Sequence, residues 1–215
     1  AKMSASLQEM SMGRLILGYG AGWYEDEYRS YGFDYPSAGV RVDMLEEGVQ
    51  IIKKMWVDSP ANFRGKYYQI DNVYCEPRPD PQPVLMLGGG GERKTLRVVA
   101  QYADWWNDVM RPIPDLSRKL EILKQHCEAV GRDYNSIRKT LAPRFFIDKN
   151  HRKAISMAEG KNDTGQVIAG DPAAVCDQLH ELAEMGFDMV VTTFPKFQEL
   201  DDMKLFVEEV IPQFS

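Results

Sequence analysis

The sequence is poor in cysteine, in long apolar runs and in blocks of like charge, and each shortage removes a class of protein. Its three cysteines, Cys75, Cys127 and Cys176, are odd in number, far apart and never in a C-x-x-C pair. That pattern argues for buried thiols in a reducing compartment and against a disulfide scaffold or a structural zinc site. No apolar run approaches the roughly 20 residues that span a bilayer, and no signal-peptide pattern opens the chain, so a cytoplasmic location is expected. The 26 basic and 32 acidic residues sum to −6 without a basic arm or an acidic tail. Neither nucleic acid nor a membrane is therefore an expected partner, and no metal site is expected. What is present, 215 residues with 44% hydrophobic and 11% aromatic content, suffices for a real core.

Along the chain, Met3, Leu7 and Met10 recur at helical spacing with no capping residue in front, so the chain is expected to begin inside an element. Leu15 to Gly18 reads as a buried strand opening into Gly20-Ala21-Gly22-Trp23. A helix capped by Ser37 carries Val42, Leu45, Val49, Ile52 and Trp56 on one face. Residues 58–83 lose the helical period; a hairpin turning at Gly65 and a Pro-spaced stretch read as an insertion over a rim. Further strands are expected at Val84–Leu87, Trp105–Asn107, Thr140–Ile147, irregular at Pro143, and Met189–Phe194. Helices are expected over 95–103, 115–130 and 171–186, the last with an Asp171-Pro172 start, and a final helix stops at Pro212. Strand–helix alternation with continuously apolar strands specifies a parallel sheet covered by helices, either doubly wound or a barrel.

Two glycine-rich loops follow strands. Gly18-Tyr19-Gly20-Ala21-Gly22 starts like a dinucleotide fingerprint, but its third glycine position holds Trp23, and the expected acid, Asp43, falls inside a helix. Gly88-Gly89-Gly90-Gly91 lacks the Lys-Ser or Lys-Thr of a Walker loop. Even so, its backbone N–H groups can converge on an anion at a helix N-terminus, with Arg93, Lys94 and Thr95 in the first helical turn completing the cradle. A tight turn without a ligand is the plainer alternative. His126, His151 and His180 stand singly. Glu25, Asp26 and Glu27 read as a solvated first turn, and Trp105 and Trp106 as core.

Taken together, the blocks Leu15–Tyr28, Tyr31-Gly32, Pro36–Gly39 with Arg41, Phe63–Tyr68, Cys75-Glu76-Pro77, Leu87–Arg93 and Tyr102-Ala103-Asp104 resemble the bacterial luciferase-like superfamily, in its coenzyme F420-dependent oxidoreductase branch. The resemblance implies an α/β fold, a TIM (β/α)8 barrel binding F420, or alternatively FMN, at the C-terminal ends of its strands, usually as a homodimer. It assigns Gly88, Gly89, Gly90, Gly91, Arg93 and Thr95 to the cofactor phosphate. Gly20, Ala21 and Gly22 go to the ring, and Trp23 to the substrate side. In the sugar-phosphate dehydrogenase branch the position like Trp23 carries an acid, so that reaction is not implied, and no catalytic acid is assigned.

A complete barrel of this type needs about 250 residues, and the resemblance places the chain at about five of eight strand–helix units. The expectation is a single luciferase-like domain over 1–215, starting within the third barrel helix and lacking the three preceding units. The expected function is an F420- or FMN-dependent oxidoreductase, performing hydride transfer or monooxygenation on a small organic substrate, and inactive as this short chain. The alternatives are a non-catalytic cofactor-binding or interaction module and a doubly wound nucleotide-binding domain. Five parallel strands would leave open edges, so self-association as a homodimer or higher is also expected.

Overall fold

A computed structural model describes residues 1–160, 167–192, 194 and 200–214, arranged in two compact units. The first comprises residues 1–106 and 123–137, the second residues 107–122 and 138–215.

The first unit opens with helix α1 (Lys2–Met10), followed by strand β1 (Ile16–Gly20). The α1 face that is buried is not the one carrying its large apolar residues. Ser4, Ala5 and Gln8 point inward, whereas Met3 and Met10 are 83% and 79% exposed. Gln8 repays its burial with two hydrogen bonds, donating to the Pro81 carbonyl (2.8 Å) and accepting from the Leu15 N–H (3.0 Å). Gly13, at φ +82°, then turns the chain into β1. That strand runs two residues beyond the expected Gly18, because Gly18 and Gly20 both stay in the ladder. It is also not buried on both faces: Ile16, Gly18 and Gly20 are exposed and Leu17 and Tyr19 half-buried.

After the short α2 (Glu25–Ser30), helix α3 (Ala38–Val57) follows Ser37, which holds the capping position without a side-chain cap. Strands β2 (Ala61–Arg64) and β3 (Gln69–Val73) form the antiparallel hairpin expected around Gly65. Trp56 of α3, Ala5 of α1, Ala61 and Cys75 pack as one buried cluster, fixing the hairpin to the helices. Strand β4 (Val84–Gly88) pairs parallel to β1, with Leu85 and Leu87 fully buried. Helix α4 (Thr95–Tyr102) follows, with Leu96, Val98 and Val99 fully buried. Strand β5 (Trp105–Val109), two residues longer than expected, contributes its first two residues to this unit, where the strand order is β1-β4-β5 with β1 at the edge.

Helix α5 (Ile113–Val130) begins in the second unit and ends in the first. In the second unit the expected strand Thr140–Ile147 is two strands, β6 (Arg138–Ala142) and β7 (Arg144–Ile147), in different sheets. Pro143 separates them: it has no N–H for a ladder, and its carbonyl takes the Thr192 hydroxyl (2.9 Å). Helix α6 (His151–Ala158), capped by Asn150, leads to an unforeseen strand β8 (Val167–Gly170), parallel to β7. Helix α7 (Pro172–Glu184) starts as expected, Asp171 accepting from the Ala174 N–H (3.0 Å) with proline in the first turn. Strand β9 (Met189–Val190) pairs parallel to β6; position 193 of the expected longer strand lies outside the described residues. The expected last helix is in pieces: α8 (Asp201–Leu205), a wider π turn over Phe206–Val210 and a tighter 3-10 turn over Ile211–Phe214 that contains Pro212. Here the strand order is β5-β6-β9, with β9 at the edge among the described residues. The architecture is α/β with a parallel central sheet.

Candidate functional site

Strands β1 and β4 are parallel and paired to their last residues, with Gly20 opposite Gly88. The two glycine-rich loops therefore leave the sheet side by side at the C-terminal strand ends. A Cβ on Gly20 would lie 3.7 Å from the Gly88 carbonyl, so the absent side chain keeps this end of the ladder bare. Gly22, at φ +72°, has no room for a Cβ against the Tyr28 ring. Tyr28 in turn donates to the Ala21 carbonyl (3.2 Å), and Tyr35 to that of Trp23 (2.8 Å). Two tyrosines thus shape the loop from outside and leave Trp23, 81% exposed, on the rim beside Tyr24.

Gly88 ends β4, and Gly89 adopts φ +120°, a conformation needing glycine. The buried Trp106 donates its indole N–H to the Gly89 carbonyl (3.0 Å). Gly91 abuts Thr95: a Cβ there would stand 2.6 Å from the Thr95 hydroxyl oxygen. Arg93 and Lys94, expected in the first helical turn together with Thr95, precede it. The Leu96 N–H reaches back to the Gly91 carbonyl (3.0 Å), closing a wide turn over 92–94, and α4 starts at Thr95. Lys94 is engaged by Asp43 (2.6 Å) and the Gly39 carbonyl (3.4 Å). Arg93 is exposed and, among the described residues, has no partner. Glycine backbone, a buried threonine at a helix start and a guanidinium without a partner among the described residues thus follow one another at the C-terminal end of β4.

Beside this, a cleft of about 410 Å³ lies between the end of β1, α3 and the hairpin, lined by Tyr19, Ala21, Arg41, Met44 and Tyr68 among others. Burial raises the phenol pKa of Tyr19 and Tyr68, keeping both protonated. Tyr68 is positioned by Glu47, whose carboxylate accepts the N–H groups of Lys66, Tyr67 and Tyr68 (2.7, 2.9 and 2.9 Å). Burial pushes the Glu47 pKa up, but the three hydrogen bonds outweigh it and the net shift is down. Gly65 makes the approach possible, since a Cβ there would strike the Glu47 carboxylate. Sequence reasoning missed Glu47, Tyr68 and the Trp106 clamp. The only signal was an acid and a glycine whose partners are far apart in the chain.

The other residues singled out from sequence do not converge. His126 Nε2 meets the Glu92 carbonyl (2.8 Å), His151 lies 3.4 Å from Asp171, and His180 packs on Phe214. Glu25, Asp26 and Glu27 are the exposed first turn of α2, and the three cysteines are buried and free. Among the described residues no His/Cys/Asp/Glu group is arranged to hold a metal, and no helix is long and apolar enough to cross a membrane.

A family model described as luciferase-like monooxygenase matches residues 1–166. The F420-dependent glucose-6-phosphate dehydrogenase of Amycolatopsis mediterranei is 24% identical over 252 aligned residues, covering 99% of this chain and 73% of that protein. The FMNH(2)-dependent dimethylsulfone monooxygenase of Pseudomonas fluorescens is 20% identical over 251, covering 99% and 68%. A solved F420-dependent secondary alcohol dehydrogenase, in complex with an F420-acetone adduct, superposes with a TM-score of 0.85 at 20% identity, covering 100% of this chain and 74% of that one. An uncharacterized protein of Mycobacterium bovis is 26% identical over 216 residues, and this chain spans 64% of its length.

Proposed function

Since this chain belongs to the luciferase-like monooxygenase family, we propose that it forms the cofactor-phosphate side of an F420- or FMN-dependent oxidoreductase acting on a small organic substrate. Bound there, the cofactor supplies hydride transfer or oxygen activation. The chain's own residues hold it: Gly88 to Gly91 present backbone N–H groups, Thr95 its hydroxyl and Arg93 its charge to the phosphate. Gly20, Ala21 and Gly22 give the ring a wall without side chains, and Trp23 stands toward the substrate. The observation that carries this reading is the register of Gly20 with Gly88, which brings both loops to one strand end. Named relatives that use F420 and FMN support either cofactor.

In the same reading, residues 58–83 are a rim insertion over a single luciferase-like domain, and the chain works in the cytoplasm as a homodimer or larger assembly. The 215 residues alone bind the phosphate end without turnover, because β1 is an exposed edge strand where a closed wall would be needed. The test is equilibrium titration of F420, FMN and a nicotinamide dinucleotide into the protein. Weak but saturable binding of F420 or FMN is expected. Preference for the nicotinamide dinucleotide, or no binding of any of the three, would overturn the reading.

A further inference from the structure

The cleft beside β1 has chemistry that the phosphate cradle does not use. Arg41 lies in the first turn of α3, and its guanidinium is fixed from two sides. It stacks 4.0 Å over the Tyr35 ring, and one terminal nitrogen donates to the Pro36 carbonyl. Its Nε is shielded from solvent and has no hydrogen-bond partner. No acidic residue pairs with it among the described residues. A positively charged donor held in place, dry and unsatisfied is rare in folded proteins and calls for an acceptor.

The walls state what sort of acceptor. Tyr19 is directed toward α3: the place of a Cβ on Gly48 lies 2.7 Å from its hydroxyl, so this glycine makes room for the ring. Met44 and Leu45 add apolar surface from α3, and Tyr68 closes the hairpin side. Aromatic and aliphatic walls around a single fixed guanidinium suit a flat apolar body with one anionic end. A free phosphate would leave those walls wet. The other charge at the cleft, Asp34, is exposed, and it disfavours a second anionic group.

We propose that this cleft binds a small aromatic monocarboxylate, its ring against Tyr19, Tyr68 and Met44 and its carboxylate on Arg41. The cleft shares Gly20 and Ala21 with the wall proposed for the cofactor ring but contains neither Arg93 nor Thr95, so competition by phosphate tells the two sites apart.

The test is calorimetric titration of benzoate and of benzyl alcohol into the 215-residue chain, alone and with saturating inorganic phosphate. Benzoate is expected to bind saturably, at least about ten-fold more tightly than the neutral alcohol, and to keep its affinity when phosphate is present. Arg41→Gln should weaken benzoate about ten-fold and leave benzyl alcohol unchanged, with Arg41→Lys in between. Equal binding of acid and alcohol, displacement by phosphate, or an unaffected Arg41→Gln would overturn the proposal. So would the absence of saturable binding. If Arg41→Gln does not fold, Asp34→Asn decides: removing the exposed like charge should tighten benzoate by about two- to five-fold, and an unchanged affinity would overturn the proposal.

Discussion

The indole N–H of Trp106 donates a 3.0 Å hydrogen bond to the carbonyl of Gly89, joining a fully buried ring to the loop that precedes α4. Gly89 needs its φ of +120° to turn the chain there, and the buried donor holds its carbonyl in one orientation. Trp106→Phe should cost about 2 kcal/mol in denaturant unfolding, from the lost hydrogen bond and the smaller ring. It should also lower phosphate affinity about five-fold, the scale of 1 kcal/mol. A stability loss with unchanged phosphate binding would make Trp106 core alone.

Gly22 and Gly32 both have positive φ, +72° and +75°, but only Gly22 faces a side chain, the Tyr28 ring. Gly32→Ala should therefore lose roughly 1 kcal/mol, the left-handed backbone penalty alone. Gly22→Ala should lose more, because Tyr28 must also leave the Ala21 carbonyl. Thermal melts of the two variants, and of Gly22→Ala combined with Tyr28→Ala, separate the terms: the combined variant should fall short of the sum of its parts.

Glu47 makes stability depend on acid. Its folded pKa is depressed, so its contribution is complete above the unfolded glutamate value of about 4.3 and is lost as pH falls through the lower folded value. Urea unfolding across that window should show wild type losing stability that Glu47→Gln has already lost at neutral pH. Parallel acid profiles for the two proteins would contradict the assignment.

Met3 and Met10 form an apolar face of α1 turned to solvent. Sedimentation should show concentration-dependent association at micromolar protein, and the pair Met3→Lys, Met10→Lys should reduce it without loss of helix, because neither residue belongs to the buried face. Association unchanged in the double variant would move the contact elsewhere.

Local chemistry made part of this fold legible. Asp171-Pro172 marks a helix start because capping and proline act within one turn, and Gly65 marks the hairpin for the same reason. The Pro143 break was visible as an irregularity, but its consequence, two strands in separate sheets, depends on partners far along the chain. Val167–Gly170 was missed because four apolar residues carry no period of their own. For α1 the spacing of Met3, Leu7 and Met10 gave the helix but not its orientation, since Gln8 finds two backbone partners that only the folded chain supplies. Likewise Gly88 to Gly91 could be read as a cradle from order alone, whereas Arg41 looked like one more polar residue on a helix until its unpaired Nε and the cleft beside it were in view.

In the proposed function Gly88 to Gly91, Arg93 and Thr95 hold the phosphate end of the cofactor. Calorimetric titration of FMN and of riboflavin, which share a ring and differ in the phosphate, tests it most directly. Weak but measurable FMN binding is expected, with no heat from riboflavin and a loss of about 1.5–3 kcal/mol of FMN affinity in Arg93→Ala, the scale of a charged hydrogen bond. Riboflavin binding as tightly as FMN, with Arg93→Ala unaffected, would contradict it.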